Sequence, residues 1–123
     1  MTNRLPAPHG GCGLINRTLP EIEKQTVLNE IKDLNIYKIS DADLSIFYRI
    51  ADGALSPLEG PMDSAEFKRV LEEEVIERNG QKYAWTIPIA FPIAQAEADR
   101  LKTGEIVAVQ NEQGLPAVSL WQA

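Results

Sequence analysis

The chain has 123 residues, 44% of them hydrophobic and 24% charged, which is ordinary for a globular protein and predicts one domain over 1–123. Its net charge of −6 argues against nucleic acids and anionic membranes as partners, because proteins bind both through clustered lysine and arginine. No apolar run approaches the ~20 residues that span a bilayer, no secretory signal is present, and the single cysteine fits a reducing compartment, so we expect a cytoplasmic protein.

The N-terminal residues 1–17 are predicted to form an irregular arm, because the stretch from Leu5 to Gly13 contains two prolines and three glycines. A helix over 20–34 should follow, with Thr18 as its N-cap and Pro20 in its first turn. A short strand over about 36–39 comes next. Apolar residues at helical spacing mark the expected buried stripe of this helix: Val27, Leu28, Ile31 and Leu34.

Two further helices are predicted from capping patterns. Ser40 and Asp43 form a capping box, and Gly53 supplies a left-handed stop after the second helix. The third helix should begin near Asp63 or Ser64. The expected buried faces are Leu44, Phe47, Ile50 and Ala51 on the second helix, and Phe67, Val70, Leu71 and Val75 on the third.

The period then changes from helical to alternating. Asn79-Gly80 is a strong signal for a two-residue hairpin. Large apolar residues alternate beyond it and predict one long strand: Tyr83, Trp85, Ile87, Ile89, Phe91 and Ile93. Pro88 and Pro92 lie on its other side, so this strand should be at an edge, bulged or bent, as in a small barrel.

The C-terminal part predicts a short helix over 94–103 that ends at Gly104, and strands over about 105–110 and 115–121 joined by a turn at Gly114. We expect Trp85 in the core, and Trp121 either capping the barrel or covering an interface. The fold class is therefore α+β, with a small bent β-barrel and three to four helices packed on it.

His9 and Cys12 are the first candidates for chemistry. His9 is the only histidine and Cys12 the only cysteine, and no acidic ligands converge on either in the sequence. We expect His9 to be a packed or hydrogen-bonded arm residue, with Gly10 and Gly11 allowing a sharp turn, and Cys12 to be a half-buried thiol.

No other residue completes a catalytic set. Ser56 lacks a G-x-S-x-G elbow, and Glu59 has no second carboxylate beside it. The charge run of Glu72, Glu73, Glu74 and Glu77 is expected to be a solvated helix end. We therefore assign no catalytic, cofactor-binding or metal-binding residue to this chain.

The segment "GALSPLEGPM", residues 53–62, joins the second and third helices. Pro57 and Pro61 should stiffen it, while Leu55, Leu58 and Met62 should turn inward. We expect Gly60 to permit a tight turn, so that substitution of Gly60 or Leu58 lowers stability. We call residues 53–62 the strap.

Several blocks in this order resemble one family: "PHGG", then "LSIFYRIADGALSPLEGPMDSAEFKRVL", then "WTIPIAFPI" and "LKTGEIVAVQNEQGLPAVSL". The run looks like the N-terminal, PUA-like domain of ATP sulfurylase (sulfate adenylyltransferase), over about residues 8–120. The block from Ile50 to Met62 is the most specific part. The sequence departs from the family at Pro61, where an aromatic residue is usual.

The resemblance implies a non-catalytic module and a PUA-like pseudo-barrel. In the family, a following catalytic domain carries Gln-x-Arg-Asn and His-x-x-His motifs that bind ATP and sulfate. Neither motif is present in these 123 residues, so no family site residue can be placed here. The parent reaction would convert ATP and sulfate to adenosine 5′-phosphosulfate and pyrophosphate in sulfur metabolism. The expected partners are that catalytic domain, in the same polypeptide or a partner chain, and a second copy of this chain.

Two other functions stay open at this point. A stand-alone PUA-like binding module could bind RNA, although the net charge of −6 weighs against it. A small enzyme built on His9 and Cys12 would lose activity on alanine substitution at either position.

Overall fold

A computed structural model of the chain describes residues 6–114 and the backbone of 116–122. Within these ranges none of the helices is long and apolar enough to cross a membrane. The elements, in chain order, are α1 (Glu21–Glu30), a short 3-10 helix (Ile31–Asp33), β1 (Ile36–Lys38), α2 (Asp41–Ala51), α3 (Ser64–Glu73), β2 (Val75–Arg78), β3 (Gln81–Ala84), α4 (Gln95–Ala98), β4 (Ile106–Gln110) and β5 (Pro116–Gln122).

The chain divides into two compact units. Unit 1 comprises residues 1–17 and 49–90, and unit 2 comprises residues 18–48 and 91–123. Each unit is therefore assembled from two separate stretches of sequence. The boundary of one domain over 1–123 stays a prediction.

Unit 1 contains the predicted hairpin. β2 and β3 are antiparallel, with Ile76 opposite Tyr83 and Arg78 opposite Gln81. Asn79 and Gly80 both have left-handed φ values, of 52° and 74°. This is the conformation that a two-residue hairpin turn requires, and it explains why Asn-Gly marked the position.

The third helix, α3, begins as its sequence indicated. The Asp63 side chain accepts a hydrogen bond from the backbone N–H of Glu66 at 2.8 Å. Val70 and Ile76 are buried, whereas Leu71 is 60% exposed. The expectation that Leu71 packs inward was therefore wrong, because the helix presents its other apolar positions to the core.

The predicted long strand from Tyr83 to Ile93 is not formed: β3 ends at Ala84, and residues 85–94 contain no strand. Ile89 is buried, but Ile87 is 64% exposed, so the alternation does not line one buried face. Pro88 and Pro92 cannot donate to a ladder, which is sufficient reason for the irregular path. Trp85 is only half-buried, and its Nε1 donates to the carbonyl of Ile87 at 2.7 Å.

Unit 2 is built on a three-stranded mixed sheet in the order β1-β4-β5. β1 runs parallel to β4, and β5 runs antiparallel to β4. One apolar cluster covers a face of the sheet, with Phe91 and Leu101 packed at its border: Tyr37, Ile39, Leu44, Phe47, Val107 and Val109. The buried face of α2 thus matches the prediction, and the Ser40 hydroxyl accepts from the N–H of Asp43 at 3.1 Å.

The first helix differs most from its prediction. Pro20, not Thr18, is the N-cap residue of α1, and none of the residues of α1 is buried. Ile31 is buried, but it lies in the short 3-10 helix. The apolar periodicity of this segment is therefore not matched by burial of the helix itself.

The strands of the described residues form one sheet of three strands and one of two, and these sheets do not close into a barrel. The mixed α and β composition is as predicted, whereas the expected barrel is not seen in these ranges. α4 spans only four residues, fewer than the 94–103 expected. The Trp121 side chain lies outside the described residues.

Candidate functional site

The irregular arm of unit 1 is held at its start by His9. The Nε2 atom of His9 lies 2.8 Å from the carbonyl oxygen of Ala84, so it must donate, because a carbonyl only accepts. The His9 ring also meets the rings of Tyr83 and Trp85, with centroids 5.8 and 6.3 Å away. These contacts match the expectation of a hydrogen-bonded arm residue.

Two glycines after His9 bring the arm close to its neighbours. A Cβ added at Gly10 would lie 2.4 Å from Cγ of Pro57, and one at Gly11 would lie 2.2 Å from the hydroxyl of Tyr83. Both have left-handed φ values, of 92° and 72°. Glycine is needed here both for the turn and for the close approach.

The centre of the strap is anchored to the arm by Ser56. Its hydroxyl donates to the Gly53 carbonyl at 2.7 Å and accepts from the N–H of Ile15 at 2.9 Å. Ser56 is buried, and its bond to the Gly53 carbonyl is buried with it, while the bond from the Ile15 N–H is part-buried. The hydroxyl is therefore engaged in a structural role, consistent with the missing nucleophile elbow.

Arg17 fastens the end of the arm. Its backbone N–H donates to the Ala51 carbonyl at 2.8 Å, and its guanidinium donates to the Glu59 carbonyl at 2.9 Å. Glu59 thus contributes its backbone to this contact, and its carboxylate is exposed. Nothing in the residues beside Arg17 indicates which backbone its guanidinium reaches, so the sequence does not single it out.

Burial along the strap is partly as expected. Leu58 is 1% exposed, and Met62 is buried. Gly60, however, lies in open space: a Cβ added there meets nothing within 4 Å, and its φ is outside the left-handed range. The expectation that Gly60 is required for a tight turn was therefore wrong, and Gly53, with a φ of 91°, is the glycine that the strap needs.

A surface cleft of about 600 Å³ runs beside the strap and α3 within unit 1. Its wall carries four carboxylates and two guanidinium groups, and Glu66 pairs there with Arg78. This mixture gives no uniform positive field for a phosphate backbone. Lining residues are Pro57, Glu59, Gly60, Pro61, Asp63, Ala65, Glu66, Arg69, Glu77 and Arg78.

A second cavity, of about 520 Å³, lies within unit 2 beside β1 and α4. Tyr37 lines it, and the Tyr37 hydroxyl donates to the Pro92 carbonyl. Burial raises the pKa of Tyr37, and the nearby carboxylates of Asp43 and Glu97 raise it further. A tyrosine in this state stays a neutral donor at physiological pH and is unsuited to act as a base.

Two exposed carboxylates have lowered pKa values for different reasons. The Lys82 ammonium, 2.7 Å from Glu73, lowers the pKa of that carboxyl through a hydrogen bond and charge. The pKa of Glu105 is lowered first by the backbone N–H of Lys102 and then by the Asn35 side chain. Both contacts support local structure, and neither Glu73 nor Glu105 lines either of the two cavities described above.

Cys12 is half-buried with a free thiol, as expected. Within residues 6–114 no group of three histidine, cysteine, aspartate or glutamate side chains is arranged to hold a metal ion. Within the described residues, the hydrogen bonds of His9 and Ser56 go to different backbone groups, those of Ala84 and of Gly53 and Ile15.

Comparison with known proteins places this arrangement in a family. A family model described as a PUA-like domain matches residues 6–122, which is nearly the whole chain. The chain belongs to the PUA-like domain family. The resemblance drawn from the "PHGG" and strap blocks is thereby confirmed.

The relatives of this PUA-like domain include enzymes much longer than it. It is 39% identical over 115 residues to a sulfate adenylyltransferase of Pyropia yezoensis, covering 93% of this chain and 26% of that protein. A sulfate adenylyltransferase of Symbiobacterium thermophilum is 31% identical over 88% of this chain and 26% of its own length. A probable bifunctional SAT/APS kinase of Sorangium cellulosum is 32% identical over 89% of this chain and 18% of its own length. The chain spans about a quarter or less of these proteins.

Proposed function

We propose that this PUA-like domain is the non-catalytic N-terminal module of a sulfate adenylyltransferase. The parent protein would join sulfate to the adenylyl group of ATP and release pyrophosphate. The observation that carries the proposal is the 39% identity over 93% of this chain to only 26% of such an enzyme. A match that covers nearly all of a short chain but only one part of a longer protein is expected when the short chain corresponds to one domain of that protein.

The described side chains support a structural role for the module. Ser56, which carries the one side-chain hydroxyl in residues 53–62, makes two hydrogen bonds within unit 1. His9 donates to a backbone carbonyl, and Tyr37 is a donor to Pro92. ATP and sulfate would bind the catalytic domain of the parent protein, where the family's Gln-x-Arg-Asn and His-x-x-His motifs lie.

We infer that the main partner is that catalytic domain, in the same polypeptide or in a partner chain. A second copy of the protein, a cytoplasmic location and a PUA-like pseudo-barrel belong to the same proposal. The mixed charge of the unit 1 cleft and the net charge of −6 favour a protein partner over a nucleic acid.

The test is an assay of adenosine 5′-phosphosulfate formation from ATP and sulfate. The full-length protein should form the product, and the 123-residue chain, shown to be folded by circular dichroism, should form none. Product formed by the 123-residue chain would place catalytic groups within it and refute the assignment of no site residues. A folded full-length protein without activity would refute the parent reaction.

A filter-binding experiment with single-stranded and hairpin RNA at low salt separates the RNA-binding alternative. We expect no retention of RNA. Retention that falls steeply as salt increases would favour the stand-alone binding module.

A further inference from the structure

The hairpin of unit 1 has one edge that no described strand covers, the outer edge of β3. The backbone N–H of Trp85 donates to the carbonyl of Glu74 at 2.7 Å and continues the ladder beyond β3. Bonded and non-bonded pairs alternate in an antiparallel ladder, so the next pair, Val75 and Ala84, is non-bonded. The N–H and C=O groups of Ala84 therefore point away from β2, toward the outer edge.

His9 occupies this edge. Its Nε2 donates to the outward carbonyl of Ala84 at 2.8 Å, where a neighbouring strand would otherwise donate its backbone N–H. The ring lies against Tyr83 and Trp85, the residues on either side of Ala84, and so is fixed over the carbonyl. The arm thereby replaces a strand at this position.

The edge has little other protection. Lysine on an edge strand usually discourages pairing by its charge, but the Lys82 ammonium lies 2.7 Å from the Glu73 carboxylate, which offsets that charge. β3 contains no proline, and it pairs with β2 in a continuous register without a bulge. Apart from the shortness of the strand, His9 is the feature of the described structure that blocks strand addition.

We propose that His9 is an edge-closing residue: it prevents β3 from pairing with β3 of a second copy of the protein. This role goes beyond the proposed non-catalytic module and does not depend on the parent reaction. It also gives a physical function to the "PHGG" block, in which Gly10 and Gly11 turn the chain so that the imidazole reaches the edge.

Two variants of the full-length protein separate the hydrogen bond from the ring contacts. His9→Phe keeps an aromatic ring against Tyr83 and Trp85 but has no donor. His9→Gln keeps an N–H donor at about the position of Nε2 but loses the ring. A third protein, His9→Phe with Lys82→Pro, removes an outward N–H from the edge without removing a bond of the hairpin ladder.

The first measurement is molar mass by sedimentation velocity over increasing protein concentration, with folding checked by circular dichroism. The His9→Phe variant should increase in mass toward about two-fold that of the wild type, the value for edge-to-edge pairing of two copies. His9→Gln and the double variant should match the wild type. Equal masses for wild type and His9→Phe would overturn the proposal, and so would association of His9→Phe that survives Lys82→Pro.

The second measurement is made at a protein concentration at which His9→Phe has the same mass as the wild type, so that no second copy supplies a donor to the Ala84 carbonyl. The carbonyl ¹³C resonance of Ala84 should move upfield in His9→Phe and keep its wild-type position in His9→Gln, because loss of a donor shields the carbonyl carbon. An Ala84 resonance with the same position in the wild type, His9→Phe and His9→Gln would show that the bond is absent and overturn the proposal. This holds even if His9→Phe proved too unstable for sedimentation.

Discussion

The irregular segments of unit 1 and the sheet of unit 2 are stabilised in different ways, although both units bury apolar side chains, among them Leu58, Val70 and Ile76 in unit 1. Unit 2 has a conventional apolar core, in which α2 packs on the β1-β4-β5 sheet. Unit 1 holds irregular segments, the arm and the strap, through close glycine contacts and hydrogen bonds to backbone groups. The comparison shows that irregular structure can be as closely specified as a sheet, provided that each buried polar group has a partner.

The largest effect is expected in the core of unit 2. Phe47 is 7% exposed and stacks on Phe91 with ring centroids 6.0 Å apart. Phe47→Ala should lower the free energy of unfolding by about 3–5 kcal/mol, through lost burial and the cavity left behind. Denaturant unfolding measures it, and Tyr48→Ala, at a side chain that is 50% exposed on the same helix, is the control. Similar losses for both variants would contradict the described core.

The corresponding destabilising substitution in unit 1 is Gly53→Ala. Its φ is 91°, and the added Cβ would lie 2.5 Å from the backbone carbonyl oxygen of Ile15. We expect the free energy of unfolding to fall by about 1–3 kcal/mol or more from backbone strain alone. The clashing atom belongs to the main chain and cannot rotate away. Gly60→Ala is the control, because its Cβ would meet nothing within 4 Å. An equal loss at Gly60 would mean that the strap is held differently.

Ser56→Ala tests the polar side of unit 1. It removes the acceptor of the Ile15 N–H and the donor to the Gly53 carbonyl, and it leaves both groups without these partners. The expected loss is about 1–3 kcal/mol, the cost of leaving the part-buried Ile15 N–H unsatisfied, whereas the Gly53 carbonyl keeps the backbone N–H of Ser56 at 3.1 Å. Thermal unfolding measures it, with the exposed Ser45→Ala on α2 as the matched control, which should be neutral or slightly stabilising. No loss at Ser56 would show that water replaces the hydroxyl.

The smallest expected effect is a difference between the two units in how far added salt shifts the pKa of a carboxyl group. The pKa of Glu73 in unit 1 is lowered by the Lys82 ammonium, whereas the pKa of Glu105 in unit 2 is lowered first by a backbone N–H. Added salt screens an exposed ion pair but affects a neutral hydrogen bond less. In an NMR titration, 1 M salt should move the pKa of Glu73 upward more than that of Glu105. Equal movement would remove the distinction.

The sign of the pH dependence follows from the same two groups. Because both pKa values are lower in the folded protein than in the unfolded chain, each carboxylate stabilises the fold above its unfolded pKa. That contribution is lost as the pH falls through the lowered folded value. Lys82→Met should remove the Glu73 share only, so its stability should fall less than that of the wild type between neutral and acidic pH. An unchanged acid profile would show that the pair contributes nothing.

Local signals in the sequence determined the caps and turns. Ser40 and Asp63 bind the N–H groups of Asp43 and Glu66, Asn79-Gly80 forms the hairpin turn, and Gly114 has a left-handed φ at the turn before β5. These features depend on atoms within three or four residues of one another, so a single stretch of sequence is sufficient to specify them. The family blocks were equally visible, and so was the absence of the enzyme's motifs.

Contacts between distant stretches were decided only by the tertiary structure. Alternating apolar residues from Tyr83 to Ile93 suggested one long strand, but a strand needs a partner along its length as well as a pattern, and β3 ends at Ala84. Gly53 and Gly60 are both glycines of the strap, yet only a Cβ added at Gly53 would meet the backbone of Ile15. His9 could be identified as an arm residue from the sequence. Its position on the Ala84 carbonyl, 75 residues away, depends on how the arm and hairpin pack in unit 1.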